Sequence, residues 1–348
     1  MAALSDQLLV VAIFAYLFAM ICHAIEAGFV DRRVDQRIGR RADDRSAVPA
    51  DELVTVATGT GTGTGAGTGA DPASAGPVGQ PPADQPADPP TPGGWSAVPL
   101  VGWFAIGATV LGALVHLACL VTRGIAAERL PWGNMYEYVL AITFVGVAAW
   151  LVLVFRRPTL RTLGLFVNLV VIALLGLAGL VFYTAITPLL PALRSAWYAI
   201  HVSTIMASSG VLLLGFVPAV MFLLRSGYEQ GRSGFPYGLA KRVPSAAALE
   251  RLTFGLHAVA FPVFTFAVIA GAIWAEAAWG RAWAWDPKET WAFISWVVYA
   301  GYLHARATPS VRRTTVTWIA IFGFATMLMN LIGVNFFFES LHSYADVD

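Results

Sequence analysis

The stretch "TFGLHAVAFPVFTFAVIAGAIWA", residues 253–275, contains no Asp, Glu, Lys or Arg. As a helix rising ~1.5 Å per residue it reaches roughly 35 Å, enough to cross a hydrocarbon core of about 30 Å. Further apolar runs of this kind lie near 7–29, 97–121, 136–155, 162–183, 197–224, 290–305 and 314–337. The expected fold is therefore all-α, a polytopic integral membrane protein of about eight transmembrane helices. Composition supports it: 57% of the 348 residues are hydrophobic and 12% charged, with a mean hydropathy of +0.66. That is too apolar for a soluble domain of this length.

With a net charge of only +1, no overall basic character points to nucleic acid. The two cysteines, Cys22 and Cys119, sit inside apolar runs and form no CxxC pair, which excludes a disulfide framework and a dithiol redox site. The first run lacks a basic n-region and ends in "ICHAIEAGFVDRR" (21–33) without a small-residue cleavage site, so it is expected to be a retained helix over 1–29. A Gly-, Thr- and Pro-rich tract follows. It has no apolar periodicity, and without a preceding strand or a Lys its glycines make no phosphate loop. Residues 30–95 are expected to form a disordered linker on the cytoplasmic side, leaving 96–348 as the main membrane domain.

Basic residues set the orientation, because Lys and Arg flanking membrane spans are retained in the cytoplasm. With the N-terminus outside, 17 of the 22 basic residues fall on cytoplasmic segments. The remaining five are Arg123, Arg129, Arg194, Arg281 and Lys288. The segment "WGRAWAWDPKETW" (279–291) then faces the extracytoplasmic side. Here Asp286 can cap a helix, Pro287 can be its first residue, and Glu289 can close a capping box from the third position. A structural cap accounts for these three residues but not for the tryptophans. Six of the chain's 12 tryptophans, Trp274, Trp279, Trp283, Trp285, Trp291 and Trp296, crowd this loop and its flanks. An interfacial aromatic belt explains any one of them. Their clustering suits a platform for a large, flat, apolar ligand such as a porphyrin.

"WGRAWAWDPKETW" resembles the WWD domain of haem-handling proteins in cytochrome c maturation. With "GAIWAEAAWG" (271–280), "YLHAR" (302–306), "PWGNMYEY" (131–138) and the closing "GVN…LHSY", the chain is similar specifically to the Ccs-type, CcsA/ResC-like branch called system II. The similarity runs from about Pro131 to Tyr344. It implies that haem b, as a carried substrate, is held by two external histidines flanking the tryptophan loop, here His201 and His342, and that the haem iron is the only metal. Both positions land outside in the topology derived above, and neutral imidazole is a good iron ligand. The resemblance further implies an intramembrane haem ligand at His304, roughly 20 Å along its helix from Trp291, and a haem platform of Trp279, Trp283, Trp285 and Trp291. Arg281 and Lys288 are candidates for the haem propionates, or else solubilising residues of the loop. His257 is assigned to packing, and no ligand role is assigned to His23 or His116.

The function implied is that of a cytochrome c synthase subunit in the plasma membrane. It would present haem on the extracytoplasmic face to an apocytochrome c CxxCH motif for thioether attachment. Implied partners are a membrane subunit of the ResB or Ccs-one type, a thioredoxin-like thiol reductant, and apocytochrome c. The alternative is a membrane transporter of haem or another small molecule without attachment activity. A permanent electron-carrying cytochrome is disfavoured by the exposed tryptophan loop.

Overall fold

A computed structural model describes residues 1–46, 100–187 and 193–339, with side chains described outside 28–46. Every regular element among them is helical. The main α-helices in order are α1 (Ala2–Ser46), α2 (Leu100–Ala127), α3 (Met135–Arg156), α4 (Gly164–Val181), α5 (Ala196–Glu229), α6 (Ala246–Trp279), α7 (Pro287–Ala307) and α8 (Arg313–Leu328), with short 3-10 turns at Pro158–Leu163 and Tyr237–Ala240. A π-helical turn, Met329–Gly333, continues α8 into the short α9, Val334–Phe337.

Seven described helices are long and apolar enough to cross a membrane, which makes this an all-α polytopic membrane protein. The run expected near 290–305 corresponds to α7, whose 21 residues have the length. It falls short in hydropathy because Lys288, Glu289, His304 and Arg306 sit at its two ends. The first helix also departs from expectation, since α1 continues past residue 29 to Ser46. Residues 30–46 lack proline and mix acidic with basic side chains, a pattern compatible with a helix. The described residues form two units, Met1–Gly28 with the chain from Leu100 onward, and the remainder of α1 from Phe29. The expected linker over 47–95 lies outside the described residues.

Between α5 and α3, small residues allow close approach: a Cβ on Gly210 would come within 2.6 Å of Val145 Cβ. Without a hydrophobic force between helices in lipid, such packing supplies much of their cohesion. Near the start of α3, Glu137 is fully buried yet ionic. It accepts from Arg123 Nε–H at 2.9 Å, from Arg129 Nη1–H at 2.6 Å and from the Gly133 N–H at 2.7 Å. Asn134 Oδ1 caps the same helix by accepting the Glu137 N–H at 2.9 Å. A carboxylate between two guanidinium groups avoids the several kcal/mol that an unpaired buried charge costs. It also pins the 129–134 loop that leads into α3.

Candidate functional site

The tryptophan loop is built by the end of α6 and the start of α7. Gly280 ends α6 in the left-handed region at φ 69°, where a residue without Cβ is unstrained. Trp285 takes the same region at φ 60°, which is costly for a bulky side chain. Local bonds hold it there. Glu289 Oε2 accepts from the Ala284 N–H at 2.8 Å and the Asp286 N–H at 3.2 Å. Asp286 caps α7 by accepting the Lys288 N–H at 3.2 Å, with Pro287 as the first helical residue. Asp286 and Glu289 thus act on the backbone and fix where α7 begins.

Beneath this loop a cavity opens between α3, α5, α6 and α8, with about 1220 Å³ of non-atom space including its mouth. Along α5 it is lined from His201 to Leu213, roughly 18 Å of helix. Its deep wall is apolar, and its polar groups are few: His201, Lys288, Glu289, Asn330 and the Tyr138–Ser209 pair. That composition is typical of a site where apolar walls supply area and a few polar groups fix orientation.

Contacts from α6 fix the His201 ring. Its Nδ1 lies 2.8 Å from the Ala267 carbonyl oxygen, an acceptor only, so Nδ1 carries a proton and donates it there. The ring stacks on Trp274, with centroids 6.0 Å apart and planes 14° from parallel. Trp274 leans in turn on Trp279 at 4.8 Å and on Tyr198 at 5.4 Å. Across the cavity, the π-helical turn exposes the Asn330 carbonyl, which accepts from Lys288 Nζ at 3.3 Å. Single π turns of this kind often mark functional sites. The Asn330 Oδ1 is buried without a hydrogen-bond partner among the described residues. Burial holds the Lys288 ammonium well below the usual lysine value, at about 8, with the Asp286 carboxylate opposing that shift.

Of the residues singled out in the sequence, His201, Trp274, Trp283, Lys288 and Glu289 line this cavity. Trp285 is 66% exposed, edge-on to Trp283 at 5.7 Å, and Arg281 is exposed. Trp279 packs against the helical core behind Trp274. Trp291 starts the second turn of α7, where its carbonyl accepts from Ser295 Oγ at 2.8 Å. None of these four lines the cavity. His304 lies on an exposed face of α7 together with Phe293, Val297 and Gly301 and does not line the cavity. His342 falls outside the described residues.

The remaining histidines pack elsewhere. His257 Nδ1 bonds its own helix at the Thr253 carbonyl, 2.7 Å away, and the ring sits by Tyr302 at 4.8 Å. His116 meets Tyr16 Oη at 3.4 Å. His23 is buried edge-on to Trp150, at 5.6 Å between ring centroids. Sequence reasoning missed Tyr138, Ser209 and Asn330, and it counted Trp274 in the cluster without assigning it to the platform. Trp274 stood inside a quoted motif, but its partner lies on another helix, and no periodicity announces a π turn.

The family profile described as "Cytochrome C assembly protein" matches residues 132–342. Three proteins bearing the name "Cytochrome c biogenesis protein CcsA" are similar to the chain. The one from Guillardia theta is 32% identical over 260 residues, covering 70% of this chain and 86% of that protein. Those of Gloeobacter violaceus and Synechocystis are each 30% identical, covering 71% and 69% of this chain and 88% and 87% of theirs. The matched region begins at Trp132, on the loop pinned by Glu137, and takes in every cavity-lining residue named above, so the chain belongs to the cytochrome c assembly protein family, as a CcsA-like member.

Proposed function

We propose that this chain is the haem-handling subunit of a system II cytochrome c synthase. In this reading it sits in the plasma membrane with the cavity mouth on the extracytoplasmic side and presents haem b to apocytochrome c. One observation carries the reading: His201 on Trp274, the Trp283 ring and the Lys288 ammonium converge on a single apolar cavity. The donor set suits an iron porphyrin carried as substrate. An imidazole with its lone pair on Nε2 can take one axial position, and His342 is proposed for the other. Aromatic and aliphatic walls suit the macrocycle. The Lys288 ammonium, a donor at the cavity wall, suits a propionate edge. Attachment is an addition: each cysteine S–H adds across one haem vinyl, forming a C–S and a C–H bond without consuming an oxidant. The protein's part is to orient vinyl groups toward the thiols and keep the iron ligated meanwhile.

The thiols of the apocytochrome must arrive reduced, yet Cys22 and Cys119, the chain's only cysteines, are both buried. A thioredoxin-like reductant and a ResB or Ccs-one-type membrane subunit complete the proposed system, the latter facing the exposed His304 face of α7. In a host lacking its own maturation machinery, this chain with the membrane subunit should yield covalent haem on a co-expressed apocytochrome. The chain alone should yield none, and Cys22→Ser with Cys119→Ser should leave the yield unchanged. Covalent haem from the chain alone removes the partner requirement. Haem delivered outside without attachment, even with the subunit present, makes the chain a transporter.

Lys288 gives the site a pH signature. A lysine held at about 8 is charged below that pH and neutral above it, so pairing with a propionate is present at lower pH and lost as pH rises. Pairing itself raises the lysine's value, so the loss begins at or above about 8. Haem titrations from about pH 6 to about pH 10 should show a plateau and then a fall of at most about tenfold per pH unit. In Lys288→Gln the affinity should be lower and flat. A wild-type profile without that fall overturns the assignment of Lys288.

A further inference from the structure

Three residues of α6 meet one imidazole of α5. Ala267, Gly271 and Trp274 are spaced at i, i+4 and i+7, so they share a face of the helix. Ala267 accepts the Nδ1–H of His201 at 2.8 Å, and Trp274 stacks on the ring. Gly271 lies between them. A Cβ there would stand 2.7 Å from both Cε1 and Nδ1 of His201 and 3.4 Å from Nε2. The first two separations are shorter than real side chains tolerate, so any residue other than glycine forces the ring away from α6.

We propose that Gly271 is a positioning residue for His201, its missing side chain forming the floor on which the imidazole lies while Ala267 selects the tautomer and Trp274 the ring plane. The proposal rests on the reading of His201 as an axial ligand of haem. A ligating histidine is oriented and made more basic by the hydrogen bond at its other nitrogen, and loss of such a partner commonly costs about 10–100-fold in metal affinity. Moving the ring off Gly271 breaks the Nδ1–Ala267 bond and tilts the Nε2 lone pair, so both affinity and the electronic state of the iron respond.

A matched control exists in the same helix pair. Gly215 of α5 lies under His257 of α6, and a Cβ there would meet Cε1 at 2.7 Å and Nδ1 at 3.0 Å. Neither Gly215 nor His257 lines the cavity. Gly215→Ala therefore perturbs α5–α6 packing in the same way without touching the proposed ligand.

The test uses the full chain purified with its membrane subunit and the haem it acquires in the cell. Gly271→Ala is expected to lower haem content roughly tenfold and to shift the Soret band and reduction potential of what remains. Gly215→Ala is expected to keep the wild-type spectrum, whatever it does to the melting temperature. In a His201→Ala background, Gly271→Ala should cause no further loss, because no ring is left to position. If Gly271→Ala does not insert, Trp274→Leu removes the stack without adding volume and should give the same His201-dependent spectral change. Wild-type spectra in Gly271→Ala, or in Trp274→Leu where it serves as the substitute, overturn the proposal. An equal loss with and without His201 also overturns it. Full haem in His201→Ala alone would instead overturn the ligand reading on which the proposal stands.

Discussion

Replacing His201 and His342 together by alanine should strip the purified protein of haem while leaving it inserted in the membrane. Each imidazole is proposed to supply one axial bond, and loss of both should weaken haem by more than about 100-fold, beyond the usual cost of losing an outer-shell partner. The two substitutions report different things. His201 is held by the Ala267 carbonyl and the Trp274 ring, so His201→Ala alone removes a pre-oriented ligand, whereas His342→Ala tests the proposed second one. Soret absorbance per chain, with covalent haem on an apocytochrome as a second readout, measures both. Full haem and full attachment in the double variant would sink the assignment.

The tryptophans should divide sharply. Trp283 lines the cavity, whereas Trp285 is 66% exposed and Trp279 sits behind Trp274. Trp283→Ala should cost about 2 kcal/mol of haem binding, roughly thirtyfold, as expected for an aromatic anchor in a buried site. Trp283→Ala with Trp285→Ala should remove haem from a protein that still inserts. Asp286→Ala should instead cost about 0.5–2 kcal/mol of local helix stability, the ordinary price of an N-cap, and leave some haem bound. Normal haem content in the folded double tryptophan variant would reduce both rings to an interfacial belt.

Much of this was legible in the chain itself, because lipid imposes unusually simple rules. An uncharged run such as 253–275 has one stable form in a bilayer, so its helix follows from composition and length. The α7 cap needs residues only three positions apart, and the Asp286–Glu289 pair closes locally whatever the rest of the chain does. The family resemblance, carried by local motifs, was readable for the same reason. The polar continuation of α1 to Ser46 was not, since charge alternation suits helix and solvated coil alike.

Which groups share a cavity was decided by tertiary structure alone. Loop density pointed equally to Trp279, Trp283, Trp285 and Trp291, but the left-handed turn at Trp285 and the helical phase of α6 and α7 leave Trp283 alone of these four on the cavity wall. His201 meets Ala267, Gly271 and Trp274 only because α5 and α6 pack at one particular register. Asn330 reaches Lys288 only because a π turn rotates its carbonyl toward α7. Sequence determines local hydrogen bonding and whether a segment prefers lipid. The relative rotation and depth of neighbouring helices are set by side chains interlocking between them, and that is where the candidate site is made.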